Sequence, residues 1–170
     1  MERQSPSISV IIPDSVIEMF RDAGWHAGRR ITVPQMVPPD HPAYDILAQL
    51  GELHMGECHA GEECATSDIQ FMLCNPSSNI DEWSKLLRTR LVGVAGVHRC
   101  HGELYISETG ILFHFSDVDG EMSYLADSFG AAAERLLLGR RLQPMLRPEQ
   151  TEIYIYGERI LPDDPRVYHY

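Results

Sequence analysis

Apolar residues early in the chain recur at helical spacing, and further on they gather in short runs. Val16, Ile17, Met19, Phe20 and Ala23 fall on one helical face. Asp14 or Ser15 is placed to cap that helix, and Gly24 to end it. An earlier burst, Ile8-Ser9-Val10-Ile11-Ile12, is too short to classify by period and stops at Pro13. Arg29 to Val33 reads as extended, because Pro34 disfavours a helical residue before it. Pro38-Pro39 marks a loop. A second helix follows, capped by Asp40, with Pro42 in its first turn. It buries Ala43, Ile46, Leu47 and Leu50, extends toward Leu53, and is ended by Gly51. A third starts at Asn79 or Asp81 and carries Trp83, Leu86 and Leu87.

Strand-like runs lie at Ile69–Leu73, Leu91–Val97, Glu103–Ser107 and Ile111–Phe115. Glu108-Thr109-Gly110 has the length and the glycine of a hairpin turn. Ser128 caps a closing helix whose Phe129, Ala132, Ala133, Leu136 and Leu137 share a face, and Gly139 terminates it. Beyond Arg140, Glu152–Tyr156 alternates like an edge strand. Helices that do not interleave one-to-one with strands indicate an α+β fold: N-terminal helices, a central mainly antiparallel sheet, a closing helix. The 170 residues are enough for one domain with a proper core. Residues 1–140 form that domain, and 141–170 form a C-terminal extension whose strand packs on it.

Charge narrows the function. The formal net charge is -11, the wrong sign for gripping a phosphate backbone, so direct nucleic-acid binding is not expected. Glu52, Glu57, Glu62, Glu63 and Asp68 lie in a segment without Lys or Arg. The same holds for Glu103, Glu108, Asp117, Asp119, Glu121, Asp127 and Glu134. Such runs are usually solvated faces. Here Phe113, Phe115, Met122 and Tyr124 are interleaved with them, and aromatic anchors in a field of one sign suit a surface for a basic protein. The candidate contacts are the acidic loop with Glu57, Glu62 and Glu63 and the stretch with Phe113, Phe115, Asp117, Asp119, Glu121 and Tyr124.

Other chemistries fit less well. Cys58, His59 and Cys64 are zinc-type ligands, but Cys58 and Cys64 are too far apart in sequence for the usual knuckle, and no second compact pair completes the set. A metal-binding role through this cluster, or self-association as a homodimer through the 152–156 strand, is the competing expectation. Cys58 adjoins His59, but adjacent side chains usually point apart, and no nucleophile elbow, phosphate loop or zinc-protease pair is present. No enzyme and no cofactor are expected. The four cysteines read as free thiols, the N-terminus lacks a secretory pattern, and no run is long enough to span a membrane, so a cytoplasmic location is expected.

The chain resembles the SUKH superfamily, and within it the third immunity-protein subfamily of bacterial polymorphic-toxin systems. The resemblance rests on several pieces in order. Ala23-Gly24-Trp25 is followed by Gly28-Arg29-Arg30, with Gly24, Trp25, Gly28 and Arg29 as a structural signature. Leu50-Gly51-Glu52-Leu53 and Gly61-Glu62-Glu63-Cys64-Ala65 come next. Gly102-Glu103-Leu104-Tyr105-Ile106, Glu108-Thr109-Gly110 and Leu136-Leu137-Leu138-Gly139 complete the series. It spans roughly residues 14 to 140. The chain departs from the family pattern at Glu52, at His98-Arg99-Cys100-His101, and in its tail. The resemblance implies a non-enzymatic antidote that masks the active surface of a cognate toxin, often a basic nuclease or deaminase. Within the signature, Trp25 is expected to anchor a core corner through a hydrogen-bonded ring N–H, and Arg29 and Arg30 to form internal ion pairs.

Overall fold

The computed structural model describes residues 10–170. Along the chain lie α1 (Ile17–Asp22), α2 (Pro42–Leu50), β1 (His54–Met55), β2 (Ile69–Phe71), α3 (Ser78–Leu87), β3 (Val92–Val97), β4 (Gly102–Ile106), β5 (Leu112–Ser116), β6 (Met122–Ala126), α4 (Phe129–Leu138), β7 (Gln143–Pro144), β8 (Ile153–Ile155) and β9 (Glu158–Ile160). Strands β1 to β7 pair antiparallel in sequence order, and β8 and β9 form a separate hairpin. The α+β architecture matches the sequence expectation. Of the first apolar burst, Ile8 and Ser9 lie outside the described residues.

The sheet is covered on both faces. Leu104, Ile106, Leu112 and Leu125 point to a core shared with α1, α2 and α4. There Phe20, Phe71 and Phe129 meet with ring centroids 5.9 to 6.3 Å apart, joining α1, β2 and α4. The alternate residues Tyr105, Phe113, Phe115 and Met122 enter a second core with Ile80 and Trp83 of α3 and Met145 beyond β7. Every residue of β3 is buried, which is why its sequence reads as an unbroken apolar run rather than an alternation. Strand β6 was not expected from the sequence. Its turn residues, Asp117 to Gly120, read there as part of an acidic stretch.

The helix ends show what the local sequence does. Gly24 and Gly28 take positive φ (+105° and +82°). Gly24 donates to Arg21 O and Trp25 to Phe20 O, each at 2.9 Å, which closes α1 with paired carbonyl caps. Neither Asp14 nor Ser15 caps α1. Its N-cap is Val16, and Ser15 instead donates to Glu134 on α4. The cap of α2 is His41 rather than Asp40: Nδ1 accepts from Ala43 N, and Nε2 lies 3.1 Å from Arg90 O. Trp25 is half-buried at the rim of the first core, not a central anchor. Arg30 pairs with Asp45 at 3.5 Å, but Arg29 makes no ion pair among the described residues. Its guanidinium donates to Gln49 O (2.7 Å) and Gly51 O (3.0 Å), capping the end of α2.

After α4 the chain folds back over the sheet. Tyr168 stacks on Tyr124 at 4.2 Å, and Tyr170 meets Trp83 edge-on at 5.8 Å. Ile153, Ile160, Leu146 and Val167 make a small core of their own. The strand expected at 152–156 forms over Ile153–Ile155, but it pairs with β9 and is not the edge of the main sheet. Because Arg29 holds two carbonyls through charge-assisted bonds, Arg29→Met is expected to lower stability by about 1–3 kcal/mol. Arg29→Lys should recover part of that in urea unfolding. An unchanged midpoint in Arg29→Met would remove the capping role.

Candidate partner-binding surface

One end of the sheet gathers the acidic segments. Ile69 of β2 pairs with Val97 of β3, Gly102 of β4 with Ser116 of β5, and Phe115 of β5 with Met122 of β6. The 56–68 loop, the 98–101 turn and the 117–121 turn therefore emerge together. Asp117 N–H donates to His101 O, which ties the two turns directly.

Asp68 organises this end. Its Oδ1 accepts from Arg99 N at 2.7 Å and lies 3.5 Å from Cys58 Sγ, and its Oδ2 lies 2.8 Å from His54 Nε2. Burial alone would raise the Asp68 pKa, but these bonds to the charged form hold it below the ordinary value. The adjacent turn needs such anchoring. His98, Arg99 and Cys100 all take left-handed φ (+49°, +56° and +61°), a conformation that costs roughly 1–2 kcal/mol for each such residue. Ser67 Oγ and Asp68 accept their first two N–H groups, and His101 N–H closes on His98 O.

The acidic loop is partly committed to the fold. Glu62 N–H donates to Leu138 O, and the N–H groups of Glu63 and Cys64 both donate to Gly139 O, satisfying carbonyls at the end of α4. Gly139 is required there, because a Cβ would sit 2.4 Å from Cys64 O. The carboxylate of Glu62 pairs with Arg140 (2.7 Å), and that of Glu63 accepts from Arg141 N (2.7 Å). Glu57 is exposed and makes no ion pair among the described residues. The same is true of Asp117 and Asp119, which flank Val118, 79 % exposed at the tip of the β5–β6 turn. Glu121 is held by Gln150 (2.7 Å) and lies 3.8 Å from Arg147.

The aromatic half of the expected surface is internal. Phe113 and Phe115 are each 2 % exposed, because alternation turns them into the second core. Tyr124 is half-buried under Tyr168. Phe113 and Phe115 cannot face a partner in this conformation. Exposed apolar groups near the acids include Val118, which carried no sequence signal, and Tyr154, which read there only as part of the 152–156 strand. Arg99 and His101 are exposed in the same region.

Cys58, His59 and Cys64 do not converge. Cys58 faces Asp68, and the His59 ring turns to Ala60 O. No group of three metal-ligating side chains is assembled among the described residues. Burial raises the thiol pKa of Cys64 and pushes that of Cys74 up to about 12, the opposite of an activated nucleophile.

A family model described as SUKH-3 immunity protein matches residues 12–139. The chain belongs to that family. Comparisons with curated proteins and with solved structures found no match. SUKH-3 membership supports an immunity role, binding of a cognate toxin, in a family that is generally non-enzymatic. The matched region closes at the end of α4, so β7, β8 and β9 lie beyond it. Among the described residues no helix is long and apolar enough to cross a membrane.

A histidine pair behind the acidic turns escaped the sequence reading. His98 and His114 meet edge-on at 5.6 Å, with Asp119 nearby. Their signal was the polar His114 and Ser116 alternating with Phe113 and Phe115. Burial lowers the pKa of His41 and His98, and burial with the neighbouring His98 lowers His114 to about 4. Groups held neutral in the fold contribute stability that is full above the unfolded value, near 6.5, and is lost as pH falls toward the folded one. Burial raises the carboxyls of Glu103 and Glu121, which work the other way. Between pH 7 and 5, the His114 share of the loss is about 2 kcal/mol. His114→Gln should flatten the stability profile by that amount. A parallel profile would refute the neutral, enclosed imidazole.

Proposed function

We propose that the chain neutralises a basic, nucleic-acid-targeting toxin, a nuclease or deaminase domain, by covering its active surface with the acidic end of the sheet. The carrying observation is the set of exposed carboxylates of Glu57, Asp117 and Asp119, none of them ion-paired within the described residues, the last two flanking the exposed Val118. A catalytic cleft that binds nucleic acid is positive, so an acidic protein is drawn to it and docks where substrate would lie. The anchored 98–101 turn keeps this end preorganised, which limits the ordering cost of binding. Glu62 and Glu63 contribute charge, while their geometry serves the contact between the loop and α4. The four free thiols fit a reducing compartment, the cytoplasm, where such a toxin would act.

The test uses the cognate toxin domain and follows association by stopped flow. The triple variant Glu57→Gln, Asp117→Asn, Asp119→Asn should slow association about tenfold or more at low salt and much less near 0.5 M salt. Equal rates for wild type and variant at low salt would show that the toxin docks elsewhere.

A further inference from the structure

Opposite charges bring partners together and orient them, but most binding energy comes from a few aromatic or long side chains that become fully buried. At the acidic end of the sheet, Phe113 and Phe115, the aromatic groups nearest the acids in sequence, are internal. The β8–β9 hairpin supplies a ring in their place.

The hairpin lies between the two acidic elements. On one side the Tyr156 hydroxyl adjoins the Cys64 thiol of the 56–68 loop. Arg141, whose N–H donates to Glu63, pairs there with Glu158 at 2.9 Å. On the other side Tyr154 and Asp119 line one cavity of about 240 Å³. The 117–121 turn is also tied to the chain entering the hairpin: Arg147 donates to Gly120 O (2.9 Å) and Gln150 to Glu121 (2.7 Å). The hairpin's own turn fixes its register. Ile155 pairs with Glu158, which leaves Tyr156 and Gly157 as the loop, both at positive φ (+54° and +75°). That is the pattern of a type I′ turn, whose twist suits a two-residue hairpin. In this register Ile153 and Ile160 enter their small core. Alternation then points Tyr154 away from it, 62 % exposed.

The hairpin's two tyrosines differ in their commitments. The Tyr156 hydroxyl accepts from Leu142 N, and its ring carries the Arg141 guanidinium. Tyr154 has no such engagement among the described residues, and its cross-strand neighbour Arg159 is paired with Glu152. A large ring held in water beside the exposed Asp119, on a hairpin whose core does not use it, suits a group that is buried only in a complex.

We propose that Tyr154 is the aromatic anchor of the toxin interface: the carboxylates of Asp117 and Asp119 orient a basic toxin, and burial of the Tyr154 ring against it slows release. This rests on the toxin-binding reading above. The fixed register and the ties to the 117–121 turn hold the ring in place before binding, which limits the ordering cost. The hairpin lies outside the matched region 12–139. A change at residue 154 therefore alters the grip on the partner while the family fold stays the same.

The test is dissociation of the complex between the full chain and its cognate toxin, at low salt and near 0.5 M salt. Tyr154→Thr removes the ring and keeps a residue suited to a strand, while Tyr154→Phe keeps the ring. Backbone NMR spectra and thermal midpoints of both free variants should match wild type. Tyr154→Thr should raise the dissociation rate about tenfold or more at both salt levels, with association changed less than about twofold. Tyr154→Phe should stay within about threefold of wild type. Substitutions of Glu57, Asp117 and Asp119 act the other way, on association, and fade with salt. Wild-type dissociation in a folded Tyr154→Thr overturns the anchor. So does a Phe variant as fast as the Thr variant, which would shift the role to the hydroxyl. If the acidic triple variant still associates slowly, the toxin-binding reading survives that failure; if it does not, both fall.

Discussion

Burial of the sheet on both faces is the constraint from which the rest of this structure follows. Strand β3 has no exposed residue, and β4 and β5 send Leu104 and Leu112 one way and Tyr105 and Phe113 the other. Two covers are then needed. Helices α1, α2 and α4 supply one, knitted by Phe20, Phe71 and Phe129. Helix α3 and the C-terminal segment supply the other, through Trp83, Met145, Tyr168 and Tyr170. With both faces occupied, the turns at the sheet's ends are the places left for polar groups to act.

Those ends are not equivalent. The end at the 98–101 turn is held by Asp68 and Ser67, which accept the N–H groups of a turn in a disfavoured backbone conformation. The 56–68 loop is clamped onto the last carbonyls of α4. Carboxylates at this end therefore divide into two sets. Asp68, Glu62 and Glu63 are spent on the fold, whereas Glu57, Asp117 and Asp119 remain open to solvent. Net charge alone does not separate the sets; hydrogen bonds to distant segments do, since Asp119 accepts only from the N–H of Glu121 in its own turn.

Much of this was legible in the sequence where the signal is local. Helical spacing placed α1, α2, α3 and α4, Ser128 and Gly139 bracketed α4, and Gly110 marked the β4–β5 hairpin. What failed depended on contacts between distant residues. Phe113 and Phe115 read as surface anchors because their neighbours are acidic, yet the alternation of β5 sends them inward, and only the cover from α3 and the tail explains why. Arg29 reads as an ion-pair residue, and its real partners are backbone carbonyls at Gln49 and Gly51. The partnership of Asp68 with Arg99 and His54 joins three segments, so no window of sequence contains it.

The measurement that bears most directly on the binding surface is hydrogen–deuterium exchange of this protein, free and bound to its cognate toxin. Protection is expected at the 56–64 loop and at the 98–101 and 117–121 turns, with α1 and α2 unchanged. Protection confined to α1 and α2, with those turns exchanging as in the free protein, would contradict a docking site at the acidic end of the sheet.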